Sequence, residues 1–196
     1  MTTNKSLSDY LSLVVDDKFN VGSVFGMFGN QLSRGDMLFI EYVLGNNQQY
    51  TNVVELGTAA GITSLYLGIA MRLRGGGFNS FDIKDYKNGY VDLVWSDMEN
   101  IVFQYEEDIL QSVSKNVSLL MSMVNTLAFI DNGDKAKEVN MYAPYLQVGS
   151  GFIVHDWNTE IFEHQIAETI RECNFKRQYE DIGDMLHCNC SYWVRH

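Results

Sequence analysis

The chain has 196 residues, 46% hydrophobic, 13% aromatic and 20% charged: enough apolar material for one domain with a substantial core, and not the composition of a disordered chain. A formal net charge of −11 repels phosphate backbones and anionic bilayers, so neither nucleic acid nor a membrane surface is expected as a main partner. The polar start MTTNKSLSDYLSLVV does not read as a signal peptide, no apolar run approaches the ~20 residues of a membrane helix, and three clustered cysteines do not suggest a disulfide framework; a cytoplasmic protein is the expectation.

In chain order, SLSDYLSLVVDD has helical spacing, with Ser6 or Ser8 able to cap it. The stretch VGSVFGMFGNQLSRGD reads as a glycine-punctuated loop over a pocket, and its apolar character suits a lid or a homodimer contact. DMLFIEYVLGNN predicts a helix capped by Asp36 and closed by Gly45. From residue 52 strands and helices alternate. NVVEL, FNSFDI, IVFQYE, TLAFIDN and GFIVHDW read as strands. TSLYLGIAMRLR, SVSKNVSLLMSMV, DKAKEVNMYAPYL and IFEHQIAETIRECNF read as helices, the first ending in Arg72 and Arg74, where cations suit the helix dipole. The last carries an apolar face at Ile161, Phe162, Ile166 and Ile170. YKNGYVDLVWSDMEN is a mixed loop or short helix. The tail FKRQYEDIGDMLHCNCSYWVRH predicts a two-stranded hairpin, with Cys188-x-Cys190 as strand alternation rather than a zinc site.

All-apolar strands alternating with helices imply an α/β fold: a seven-stranded, mostly parallel Rossmann-like sheet with helices on both faces and an antiparallel C-terminal hairpin. No linker or repeat divides the chain, so 1–196 is expected to be one domain, with residues 1–50 an N-terminal helical segment or lid and 51–196 the core.

In such a sheet ligands bind beyond the carboxyl ends of the strands, near the point where the strand order reverses. The first such end is Glu55-Leu56-Gly57-Thr58-Ala59-Ala60-Gly61. Gly57 and Gly61 leave room for a tight turn and a close ligand. Their spacing is not the G-x-G-x-x-G of dinucleotide binders, and no Gly-Lys-Ser/Thr is present to cradle a triphosphate. Glu55 would repel a pyrophosphate and suits a sulfonium or an amino group. Asp82, ending the second strand, can accept both hydroxyls of a ribose.

VVELGTAAGITSLYLG (residues 53–68) resembles the first motif of class I S-adenosylmethionine (SAM)-dependent methyltransferases, and FDIKD resembles their second, acidic motif. The resemblance implies SAM as cofactor, with Gly57, Thr58 and Gly61 on its methionine part, beside Glu55 and Ala59 of the same loop. It places Asp82 on the ribose and Asp108 near the adenine. A narrower resemblance, over residues 25–157, is to the cephalosporin-hydroxylase-like family, which includes rhamnosyl and other sugar O-methyltransferases. It is carried by FGMFGNQLSRGDMLFIEYVL, FIDN and EVNMYAPYLQVGSGFIVHDW. The region is also similar to divalent-metal catechol-type O-methyltransferases, which carry Asp and then Lys after the fourth strand, as Asp134-Lys135 stand here.

These resemblances imply Asp131 and Asp156 as ligands of a divalent cation (Mg or Mn) at the cofactor end of the sheet. The third ligand would be His155, which replaces the family's Glu; at the other position, where catechol-type enzymes have Asn, this chain has Trp157, which cannot ligate a metal. A hydroxyl acceptor needs a general base or a metal to lower its pKa. The base candidates are Lys135, His155 and Asp134, and Asp156 is expected to be essential for turnover. Trp157, Phe25, Phe28 and Trp95 are candidates for an apolar wall against a sugar face or the adenine. The reading that results is an O-methyltransferase acting on a sugar or glycan hydroxyl. Two others stay open: a catechol or phenol acceptor, and a degenerate SAM-fold binding subunit. The absence of an Asn/Asp-Pro-Pro-Tyr/Phe tetrad argues against methylation of exocyclic base nitrogens.

Overall fold

Unbroken apolar strands have to be covered on both sides, and three strands here are buried along their whole length: β1 (Asn52–Leu56), β4 (Thr126–Ile130) and β5 (Gly151–Val154). The computed structural model describes residues 32–85 and 102–196. The expected N-terminal helix and the glycine-rich loop up to residue 31, Phe25 and Phe28 with them, lie outside the described residues, as does the whole segment 86–100 with Trp95; the end of that loop, from Arg34, is already helix. With β2 (Gly77–Asp82), β3 (Val102–Glu106), β6 (Phe175–Gln178) and β7 (Ser191–Arg195), the strands form one seven-stranded sheet in the order β3-β2-β1-β4-β5-β7-β6. β1 to β5 run parallel, while β7 is antiparallel to both β5 and β6.

The side chains of each strand alternate between two cores. Val53, Phe78, Leu127, Phe129 and Ile153 meet one helical layer, formed by α1 (Arg34–Asn46) and α2 (Ile62–Arg74). Val54, Phe81, Ala128, Ile130 and Phe152 meet the other, formed by α3 (Lys115–Met121), α4 (Lys135–Tyr142) and α5 (Glu163–Glu172). A seventh-strand segment returns through α6 (Glu180–Leu186), which packs beside α1. No helix among the described residues is long and apolar enough to cross a membrane.

Several boundaries differ from those the pattern suggests. The N-cap of α1 is Ser33, not Asp36: the Ser33 hydroxyl accepts from the Asp36 amide (3.1 Å) and the Asp36 carboxylate accepts from the Ser33 amide (2.7 Å). Gly45 lies inside that helix, which ends at Asn46 with Asn47 as its C-cap. The two terminal strands do pair, but α6 separates them, so they are not joined as a tight hairpin. Cys188 and Cys190 fall in the loop before β7 rather than in a strand. The fourth helix stops at Tyr142, where Ala143–Tyr145 tighten into a 3₁₀ turn around Pro144, a residue that cannot donate to a helical ladder. Phe162 caps α5 and is 40% exposed, so the helix's apolar face comes down to Ile166 and Ile170, with Ile161 buried just ahead of the cap.

The chain runs from β1 outward to β2 and β3, then crosses back to β4 on the other side of β1. The order therefore reverses between β1 and β4, and their carboxyl ends open the crevice where this class of sheet takes its ligands.

Candidate active site

Two clusters meet at that crevice. The first is the loop after β1. Gly57 (φ +101°), Ala59 (+43°) and Gly61 (+82°) all have positive φ, and Gly61 starts α2. Ala59 holds the left-handed conformation with a side chain, a strain of a kind that collects at binding sites. Its amide donates to the Asp82 carboxylate (2.8 Å), which also accepts from the Ile83 amide (2.7 Å). Each bond engages a different oxygen, so lone pairs remain on both for two further donors such as ribose hydroxyls. Below the loop, Thr58 turns inward to Ser80 (2.5 Å), and the Ser80 and Ser64 hydroxyls both donate to Glu55. Glu55 is fully buried, and burial pushes its carboxyl up to about 8 despite those two donors. Glu55 and Thr58 thus face the interior, and the loop offers a ligand its backbone rather than these two side chains. Asp108 is half-buried past the end of β3, accepting from the Leu110 amide (3.1 Å).

Gly57 also ties the loop to β4. A Cβ on it would lie 2.5 Å from the Asp131 carbonyl oxygen, in a backbone conformation side chains rarely adopt. Gly57→Ala is therefore expected to lose roughly 1–3 kcal/mol of stability, read as a lower urea midpoint. An unchanged midpoint would show that the two strand ends can part without cost.

The second cluster spans the ends of β4 and β5 and the start of α4. Lys135, 6% exposed, sets its Nζ 2.6 Å from Glu160, 2.9 Å from Asp156 and 3.3 Å from Asp131. His155 presents Nδ1 to Asp131 (3.1 Å) and Asp156 (3.4 Å) and Nε2 to Asp36 (3.4 Å). Burial by itself would lower the His155 pKa; the carboxylates of Asp131 and Asp36 outweigh it and push the ring up to about 10. For Lys135, too, burial lowers the pKa, but Glu160, Asp156 and Asp131 more than reverse it. Asp36 is buried, which raises its pKa, yet His155, Ser33 and the Asn189 amide (2.6 Å) hold it well below the usual carboxylate range. Both candidate bases are thus cations near neutrality, and neither has a lone pair to take a proton. Asp134, the third candidate, caps α4 by accepting from the Lys137 amide (3.1 Å).

Asp131, His155 and Asp156 each bring a ligand atom within 4.8 Å of the others, as do Asp36, His155 and Cys190. The first set does not fit a divalent ion as it stands. The two carboxylate oxygens such an ion would need are those Lys135 and His155 already hold, with both cations sharing Oδ1 of Asp131 and Oδ2 of Asp156. Cys190 donates its thiol to Asp36 and Cys188 donates to the Cys190 carbonyl, so the pair is not arranged around a common metal.

Beside this cluster, over the ends of β5, β6 and β7, a small cleft of about 50 Å³ is lined by Trp157, Asn158, Arg177, Gln178, Asp184 and Ser191, among others. Arg177 stacks 5.1 Å over Trp157, and Trp157 packs on Trp193, so the indole is already faced on two sides. Asp36 and Glu160 are the participants that sequence reasoning missed. Asp36 was legible only as a helix cap, and nothing in the pattern around Glu160 sets it apart from other surface glutamates.

No protein-family model and no curated protein matches the chain. Solved structures do. A methyltransferase from Geobacter sulfurreducens aligns with a TM-score of 0.59 and 15% identity, over 96% of this chain and 94% of its own. A SAM-dependent O-methyltransferase from Thermotoga maritima aligns at 0.58 and 14% identity, over 97% of this chain and 71% of its own. A third, cmcI-N160 SAH, aligns at 0.55 and 14% identity, over 83% and 76% respectively. At such identities the likeness is one of fold: a Rossmann-like methyltransferase sheet.

Proposed function

We propose that the chain is a SAM-dependent O-methyltransferase. The observation that carries this reading is the junction at Gly57. There a strained glycine loop with a carboxylate beside it (Asp82) abuts a charged cluster suited to handling a hydroxyl proton, Asp131 with Lys135, His155 and Asp156. The Thermotoga protein and the SAH in the name of another neighbour support SAM as the donor. Asp82 keeps a lone pair on each carboxylate oxygen, enough for the two hydroxyls of a ribose.

SAM, when bound, supplies a methyl group on a positively charged sulfur. In the in-line transfer the acceptor oxygen bonds to the methyl carbon as the carbon–sulfur bond breaks, and the hydroxyl proton must leave. Asp156 is the best-placed acceptor of that proton. It is the more exposed of the two strand-end aspartates, at 27% against 18% for Asp131, and it already touches both cations. Lys135 and His155, held charged, stabilise the developing negative charge on oxygen. The base role expected of them passes to the carboxylate they flank.

A sugar or glycan hydroxyl is the favoured acceptor. The resemblance of residues 25–157 points there, and the polar lining of the adjoining cleft supports it. A catechol acceptor is the alternative, and transfer to saccharides against catechols, each with and without EDTA, separates the two. Calorimetry with SAM tests the reading itself. Binding is expected, weakened by about 1–3 kcal/mol in Asp82→Ala through the lost charged hydrogen bonds. A folded chain that binds no SAM would sink it.

A further inference from the structure

We propose that the Lys135 ammonium is the resident cation of the acidic cluster at the ends of β4 and β5, standing where a divalent ion would sit, so that this chain's chemistry needs no metal. An ammonium has three N–H donors, and here three carboxylates, Asp131, Asp156 and Glu160, surround Nζ at 3.3, 2.9 and 2.6 Å. Nothing about the placement is loose. Lys135 is the first residue of α4 and lies four residues after Asp131, and helical side chains lean back toward the N-terminus, which returns Nζ to the strand end. Asp156 leaves β5 in the left-handed conformation (φ +56°), and its carbonyl accepts from the Glu160 amide (2.9 Å), a turn that brings Glu160 to the same point.

A magnesium ion would have to approach the same carboxylate oxygens to about 2.1 Å in near-octahedral geometry. Doing so would strip Lys135 of partners while leaving its ammonium almost wholly buried, away from the water that would otherwise solvate it. His155 adds a second obstacle. Its Nδ1 already lies against the same two aspartates, and its Nε2 is anchored on Asp36, whose oxygens are in turn held by the amides of Ser33 and Asn189. The cluster is therefore built around two protein cations. The occupancy is independent of the methyltransferase reading; only the catalytic use of the cation rests on it.

The test is a titration of the EDTA-treated, desalted full chain with Mn²⁺ alone, following free Mn²⁺ by electron paramagnetic resonance. The wild type should show no saturable binding below about 1 mM, the weak end of carboxylate sites. Lys135→Ala should expose three carboxylates and bind one Mn²⁺ at least tenfold more tightly, and Lys135→Gln should do so less strongly. One Mn²⁺ bound by the wild type in the micromolar range overturns the proposal, whether or not either variant folds. So does a folded Lys135→Ala that binds no better than the wild type. A wild type that binds neither SAM nor Mn²⁺ would remove the function proposed above and leave the cation assignment standing.

Discussion

Asp36→Asn is expected to cost roughly 3–5 kcal/mol of folding stability, because it breaks a buried ion pair from one side. Asp36 is 1% exposed and accepts from two backbone amides, Ser33 at 2.7 Å and Asn189 at 2.6 Å, while facing Nε2 of His155. An asparagine has one acceptor oxygen for these three donors and would turn an N–H₂ group toward at least one of them. The His155 ring would then be a buried cation supported only from the Asp131 and Asp156 side. The same pair sets a pH dependence. His155 is raised from 6.5 to about 10, so its contribution is complete below pH 6.5 and is lost as pH climbs toward 10. Asp36 is shifted down, so its contribution is complete above its ordinary 3.8 and is lost only in acid beyond it. Wild-type stability from urea unfolding should therefore fall between pH 6.5 and 10, and that slope should flatten in Asp36→Asn. A variant as stable as the wild type, with the same slope, would show that the pair is not formed.

The features legible in the sequence are those with a local signature. TLAFI announces a buried strand because every residue after Thr126 is apolar, and NVVEL does so through Val53, Val54 and Leu56 despite Glu55; both are buried throughout in the fold. The loop at Gly57–Gly61 announces itself because positive φ and close approach leave a mark in residue type. What could not be read is pairing at a distance. Asp36 and His155 are 119 residues apart, and an aspartate three places into a helix looks like any other capping residue. Lys135 at a helix start looks solvated, and only the convergence of Asp131, Asp156 and Glu160 shows that its charge is spoken for. The same limit explains the two bases that turned out to be cations. A histidine's role depends on which carboxylates face it, and no spacing within FIVHDW encodes Asp36. Helix α6 was missed for a different reason: seven residues, EDIGDML, interrupted by Gly183, give too little periodicity to stand out from a hairpin tail.

Asp156→Asn follows from that convergence as the sharpest kinetic prediction. Asparagine tolerates the left-handed backbone that Asp156 adopts (φ +56°) and matches its shape, so the turn to Glu160 should survive. What disappears is one negative charge, in contact with Lys135 at 2.9 Å and His155 at 3.4 Å, and with it the group proposed to take the acceptor proton. Loss of a general base typically costs a factor of 10² to 10⁴, so turnover should fall by about that much. SAM affinity should be nearly unchanged, because Asp82 and the Gly57–Gly61 backbone lie across the crevice on β1 and β2. Single-turnover methyl transfer and calorimetry on the same preparation read the two quantities separately. If turnover survives, the proton leaves by another route, and Asp131, which touches the same two cations, is the next carboxylate to replace. If SAM affinity falls in step with turnover, the cluster is part of the cofactor site and not of the acceptor's.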